Sequence, residues 1–494
     1  VRLSELLRVQ SDSQKLAIKY TNEQITYSQW HQSADELHTK LLTINDSKTD
    51  SIAVFLPNSI YYAVAYFGVM YSDKILVPIG VQAKAAEISS TVEYCECNLI
   101  ISISSYKELL LDTFYDYKYK IKILLLDTNE VILINEAREF IESSAYLNQD
   151  HYSDKDVAIM LHTSGTTSNP KRVMLTHANL INNVQANIES LRLTTNDIVL
   201  IALPMFFGYC NTAQFLTHLY LGATMVILDN IFLPKRFFEI VAKEKITNFT
   251  AVPSMLLMLL DYRYSELYDF TTLRYISFGG GKMPVDKLIQ LIQKYPDIQF
   301  VQTYGQTECA PRVTALLAPY TLSKAGSVGL PIPNVKVKIF DEYDNELKEN
   351  QIGEIVVQGN NVMKGYYKQP EITAQTIKNG WLKTGDLGYL DQDEFLYITG
   401  RIKNIIISGG INIYPEEIEQ LLISHDCIDE SCVVGENHDL LGEVPVAKVV
   451  LKHEITQSEL REYCLSRLAN YKVPVRFDFV KEIPKTYNGK TKRY

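Results

Sequence analysis

Short apolar runs with the character of buried strands alternate along the chain with longer stretches of helical periodicity. SIAVFL, KILVPI, LIISIS, KILLLD, DVAIML, IVLIALP, ATMVIL, NFTAVP and YISFGG are strand-like, whereas YYAVAYFGVMY, KRFFEIVAKEK and VDKLIQLIQKY carry the helical pattern. That alternation predicts stacked α/β layers built on largely parallel sheets. From about Val335 the runs shorten and turn signals multiply (KVKIFDEYDNEL, GEIVVQG, FLYITGR), which predicts a β-rich subdomain. After Gly400 the pattern changes again, and residues 404–494 read as a compact unit with an amphipathic helix near Glu416 to Ile423. The fold expected is therefore α/β: a large N-terminal domain of stacked sheets with flanking helices plus a β-rich subdomain, followed by a small α+β C-terminal domain.

Composition narrows the classes. With 494 residues, 46% hydrophobic and 21% charged, the chain has the balance of a multidomain globular protein. A formal charge of −10 and the lack of a basic block argue against nucleic acid as a general partner. The seven cysteines are scattered without C-x-x-C or Cys/His spacing, so neither zinc nor a disulfide framework is expected, and a cytoplasmic setting is. The longest uncharged stretch, Ser51 to Ser72, is split by Pro57-Asn58-Ser59, so no membrane span is predicted.

Candidate chemistry concentrates in loops that follow strands, where open α/β sheets bind ligands. After the run ending at Leu161 come Thr163, Ser164, Gly165, Thr166 and Thr167, then Lys171 and Arg172 beyond Pro170. Successive amides, hydroxyls and a cation suit a polyphosphate, and Gly165 lets the backbone approach an anion. A solvated Ser/Thr turn fits the same composition. A Walker loop does not, because Pro170 and Arg172 occupy positions where it requires Gly and Ser/Thr. A second loop, Tyr304-Gly305-Gln306-Thr307-Glu308, presents an acid, and a third, Gly279-Gly280-Gly281, is a tight turn without the G-x-G-x-x-G spacing.

TSGTTSNPK, YGQTE, KTGDL, GRIKNIIISGGINIYPEEIE and PKTYNGK occur in the order and rough spacing of the adenylate-forming superfamily, which the chain resembles over nearly its whole length. Acyl-CoA synthetases, peptide-synthetase adenylation domains and beetle luciferases belong to that superfamily, and ISGGINIYPEEIE and LANYKVP look more like the acyl-CoA synthetases than the peptide-synthetase pattern. The resemblance implies ATP and Mg²⁺ as cofactors, and coenzyme A, or the phosphopantetheine of a carrier protein, as thiol acceptor. It implies a metal-holding carboxylate at Glu308 and an adenine-facing ring at Tyr304, flanked by Gly305 and Thr307. Gly280 and Gly281 would lie between adenine and acyl group, and Asp386 and Arg401 would contact the ribose. The phosphate loop would act through Thr166, with Lys490 as the adenylating lysine. It also implies division into 1–402 and a mobile lid, 403–494, hinged at Lys403, with Ser408, Gly409 and Gly410 forming a thiol tunnel. Phe206, Phe207, Tyr209, Gly281 and Gln306 would line the acyl pocket. Phe207 stands where α-amino-acid adenylation domains usually carry Asp and many acyl-CoA synthetases carry His. This points to an apolar or aryl carboxylic acid. A stand-alone enzyme loading a carrier protein, a luciferase-like monooxygenase and a non-catalytic acyl- or nucleotide-binding protein are the alternatives.

Overall fold

The computed structural model describes residues 2–44, 50–141, 156–162, 171–229, 231–281, 283–408, 411–438, 440–485 and 491–493. Among these residues the strands assemble into four sheets. The largest has parallel strands at its centre, in the order Gln299–Gly305, Tyr275–Phe278, Asn248–Ala251, Ile198–Ile201, Thr224–Ile227 and Leu16–Tyr20, with antiparallel strands at both edges. The second is parallel from Val157–His162 through Ile75–Pro78, Ser51–Val54 and Leu99–Ser102 to Ile121–Leu125. Most of its inner strands are buried from end to end, which is why they read as unbroken apolar runs.

One core cluster draws residues from both large sheets, with the helix Ile60–Tyr71 among them. Tyr62, Ala63, Ala65, Tyr66, Phe67, Gly68, Val69, Met70 and Tyr71 are all buried, so this helix is apolar around its circumference, as a helix enclosed by protein must be. Ser59 caps it by accepting from the amide of Tyr62. Gly68 allows the neighbouring helix Tyr27–Ile44 to close in. A Cβ there would lie 2.5 Å from the Leu37 side chain.

The third sheet is antiparallel and runs from Val335–Phe340 through Gly353–Gly359 to the long strand Trp381–Leu390, on which Leu396–Arg401 is laid. A single 3-10 turn, Ile402–Asn404, then leads to a fourth sheet with its own core of Ile406, Ile418, Leu422, Val433, Val449, Leu460 and Phe477. The helix Pro415–Ile423 lies where the amphipathic pattern placed it. Arg493 anchors the chain's last described residues to this unit, donating to Glu416 at 3.1 Å and to Glu419 at 2.8 Å. Lys403 sits in the joining turn, with its pKa pushed below the ordinary lysine value by burial and by Arg401. All seven cysteines are free thiols, and among the described residues no helix is long and apolar enough to cross a membrane.

Candidate active site

A cavity of about 1030 Å³ opens where the first three sheets and the 402–404 turn meet. Of the residues singled out in the sequence, Lys171, Phe207, Tyr209, Gly280, Tyr304, Gly305, Gln306, Thr307, Glu308, Arg401 and Lys403 border it. Thr163, Ser164, Gly165, Thr166, Thr167, Gly409, Gly410 and Lys490 lie outside the described residues. Ser408 is buried in the fourth sheet, opposite Ile411 and Gly442.

Tyr304, Asp386 and Arg401 form one unit. The strand Gln299–Gly305 ends by carrying Tyr304 inward, and its hydroxyl donates to Asp386 Oδ2 at 2.8 Å. Arg401 Nε donates to Asp386 Oδ1, and these two residues face each other across the paired strands Trp381–Leu390 and Leu396–Arg401. Burial, and then the Asp386 carboxylate, raise the Tyr304 pKa well above the ordinary value, so the phenol remains a donor. Burial opposes the Arg401 charge, but the attraction and hydrogen bond of Asp386 outweigh it, and the guanidinium pKa rises overall.

Glu308 occupies the 3-10 turn Thr307–Cys309 at half-burial. That turn is stapled from behind by amides: Asn183 Nδ2 donates to Arg312 O at 2.8 Å, and Asn361 Nδ2 donates to Cys309 O at 3.0 Å. Among the described residues no group of three or more His, Cys, Asp or Glu converges as a self-sufficient metal cage. A lone half-buried carboxylate fits a hard cation that takes the rest of its ligands from phosphates and water.

The apolar wall comes from Leu203, Pro204, Phe207, Tyr209, Val252 and Met255. Gly208 brings this wall against the strand Val157–His162 and the Glu308 turn, since a Cβ there would lie 3.1 Å from Leu161 and 3.9 Å from Thr307. Tyr209 and Thr303 close the wall with a hydroxyl pair at 2.9 Å, and Thr303 donates onward to Phe278 O at 3.0 Å. Phe206 is placed differently from its neighbour Phe207. Its ring packs on Gly80, where a Cβ would lie 2.6 Å away, and it is not among the cavity residues. Gly281 likewise stands back, beside Pro253.

Three features escape the sequence. Arg172 reads there as a loop cation, but it is the first residue of the strand Arg172–Thr176, buried and donating to Thr91 Oγ1 at 2.5 Å. His162 ends the preceding strand at the cavity, with its pKa lowered to about 4 by burial and by Arg172. Tyr366 is buried between Lys171 and Glu308, and only its position in a tyrosine pair after Gly365 marks it in the sequence.

His162 shares its depressed pKa with His218, held at about 4 mainly by complete burial. Both are neutral when folded, and the unfolded chain protonates them first as pH falls below about 6.5. Their contribution is therefore intact above that value and lost progressively down to pH 4, by up to about 3 kcal/mol apiece. Urea unfolding should show the midpoint falling between pH 7 and pH 5, and His162→Gln should flatten that slope. A midpoint with equal pH dependence in both proteins would contradict this.

An AMP-binding enzyme family model matches residues 7–367, and a model of the AMP-binding enzyme C-terminal domain matches 417–490. A long-chain-fatty-acid–CoA ligase of Bacillus subtilis is 32% identical, the match covering 97% of this chain and 90% of the relative. Structures of o-succinylbenzoate CoA synthetase from Bacillus subtilis are similar throughout. The complex with its acyl-adenylate intermediate gives a TM-score of 0.86 at 28% identity, covering 99% of this chain and 97% of the other. The complex with ATP and magnesium gives 0.86 at 29% identity, covering 99% and 98%. The fold and cavity are those of an enzyme that adenylates carboxylic acids. The chain belongs to the AMP-binding enzyme family.

Proposed function

We propose that the protein joins a carboxylic acid to coenzyme A in two steps driven by ATP. In the first, a carboxylate oxygen of the acid bonds to the α-phosphorus of ATP as the bond to pyrophosphate breaks, leaving acyl-AMP. In the second, the thiol sulfur bonds to the acyl carbon, its proton is released, and AMP departs with the shared oxygen. The observation that carries this reading is one cavity bordered by Glu308, Lys171, Tyr304 and Arg401, the last two held by the buried Asp386 behind them, beside a wall from Leu203 to Met255 that carries no charge.

Each described group has work that follows from its setting. Asp386 and Arg401 offer acceptor and donor to a ribose, and Tyr304, held by Asp386, offers a fixed face to a base. Lys171 and the 163–170 loop would hold phosphate oxygens. Glu308 would hold Mg²⁺, which screens the repulsion between carboxylate and triphosphate. The chain's own task is thus positioning and electrostatic stabilisation, with no covalent protein intermediate. The unit 403–494 would turn at Lys403, first bringing Lys490 to the reacting groups and then presenting Ser408, Gly409 and Gly410 to the thiol arm.

The acid is apolar or aryl in this reading. Among the described wall residues none from Leu203 to Met255 that faces the cavity is charged, and Arg312, which borders it, is buried and donates from Nη1 to Asn187. An ammonium placed against that wall would be desolvated without a partner. Seven free cysteines suit a cytoplasmic enzyme.

Exchange of labelled pyrophosphate into ATP should depend on apolar or aryl carboxylic acids and be negligible with α-amino acids. Free coenzyme A should then give thioester. No exchange with any acid would mark a binding protein, and exchange without thioester until a carrier protein is added would mark a loading enzyme. Light with oxygen consumption would mark a luciferase.

A further inference from the structure

Tyr366 joins the two charged groups of the phosphate end without letting them meet. It lies on the two-residue strand Gly365–Tyr366, paired with Arg172–Thr176 so that Tyr366 opposes Val173, directly beyond the phosphate loop. Its backbone is pinned on both sides: the Tyr366 amide donates to Thr373 Oγ1 at 2.9 Å, and the Tyr367 amide donates to Arg172 O at 2.8 Å. A Cβ at Gly365 would lie 2.7 Å from Thr373 Cγ2, so the strand is seated closely on the helix Pro370–Thr376. From this fixed base the Tyr366 hydroxyl donates to Glu308 Oε1 at 2.9 Å. The same ring carries Lys171 Nζ over its face, 4.6 Å from the centroid.

The consequence is a division of labour between groups of opposite charge. Left to themselves, a lysine and a carboxylate facing one cavity would tend to pair, and each would then be masked from an incoming ligand. Here the phenol takes one carboxylate oxygen, leaving Oε2 for a cation, and the ring's π face holds the ammonium away from that oxygen. Carboxylates that bind metals are commonly oriented by such outer hydrogen bonds, and loss of one costs about 10- to 100-fold in metal affinity.

We propose that Tyr366 is a positioning residue that holds Glu308 ready for the divalent cation and keeps Lys171 free for phosphate. The assignment rests on the adenylation reading of the cavity. Its test compares Tyr366→Phe, which keeps the ring and loses the hydroxyl, with Tyr366→Leu, which loses both. Mn²⁺ titration followed by electron paramagnetic resonance, with a non-hydrolysable ATP analogue and no acid present, should show roughly 10-fold weaker ternary binding in Tyr366→Phe. Its affinity for the metal-free analogue should equal that of the native protein. Tyr366→Leu should lose affinity for the metal-free analogue as well. In turnover, the magnesium concentration for half-maximal pyrophosphate exchange should rise for Tyr366→Phe with the acid KM unchanged. A merely structural role would shift the acid KM and both nucleotide affinities together. Equal Mn²⁺ binding in the native and Tyr366→Phe proteins would overturn the proposal. Absence of metal–nucleotide binding by the native protein would overturn the adenylation reading beneath it.

Discussion

Lys490→Ala should lower acyl-AMP formation by about 10²- to 10³-fold or more while leaving thioester formation from supplied acyl-AMP within a few-fold of native. In the first step a carboxylate approaches a triphosphate, so negative charge accumulates around the α-phosphorus as the new bond forms. A compact ammonium on a flexible stem relieves that repulsion and holds both reactants. In the second step the nucleophile is a thiol and the leaving group is AMP, and the proposed turn at Lys403 takes Lys490 away. The substitution is directed at the charge alone. Thr491 pairs with Lys485 through the backbone, the Lys492 amide donates to Pro484 O at 2.8 Å, and Arg493 is held by Glu416 and Glu419, all independent of the lysine side chain. Pyrophosphate exchange and single-turnover conversion of synthetic acyl-AMP measure the two steps separately. Equal loss in both would refute the assignment.

The layers of the fold were legible because burial on both faces leaves a plain signature. Ser51–Val54, Ile75–Pro78 and Leu99–Ser102 are covered by helices on either side, and their apolar runs have no other cheap conformation. The change of pattern near Val335 and again after Gly400 likewise corresponds to the third and fourth sheets, because each brings its own strand lengths, and the fourth its own core. Tyr304, Asp386 and Arg401 were found through motifs, but that they form one unit was not visible. Tyr304 and Asp386 are separated by 82 residues, and only the meeting of two sheets joins them. Tyr366 is the extreme case, since its partners Lys171 and Glu308 both lie far upstream, on segments that belong to different sheets. Arg172 and Phe206 failed for a local reason. Arg172 stands at the start of a strand, where adjacent side chains point to opposite faces, so a boundary misplaced by one residue moves it from cavity to core. The Phe206 ring instead packs on its neighbour Phe207, centroids 4.3 Å apart, on the side toward Gly80. Arg172 is turned to Thr91, and Phe206 to Gly80, while Lys171 and Phe207 beside them reach the cavity.

Gly305→Ala should disable the enzyme without touching a reacting group, with pyrophosphate exchange reduced about 10²-fold or more. A Cβ at this position would fall 1.7 Å from Pro311 O, 2.7 Å from Pro311 C and 3.0 Å from Arg312 Cα. All three are backbone atoms, so no side-chain rotation relieves the clash. Gly305 opposes Arg312 across a register shift that begins at Tyr304, and the chain between them is the turn that carries Glu308. Moving Pro311 outward would strain the amides of Asn183 and Asn361 that hold the turn by its carbonyls. Moving Gly305 instead would withdraw Tyr304 from Asp386. Either response displaces by about an ångström or more a group to which a nucleotide or metal role is proposed above, and overpacking of this kind costs about 1–3 kcal/mol or more in stability. The two effects should appear together, as a lower melting temperature and weaker binding of the ATP analogue. Asp386→Asn provides the contrast: it removes a charge at the same unit without steric pressure, and should weaken nucleotide binding with a smaller change in melting. A Gly305→Ala protein with native melting and native exchange would mean that the turn between the two strands is not the rigid support described above.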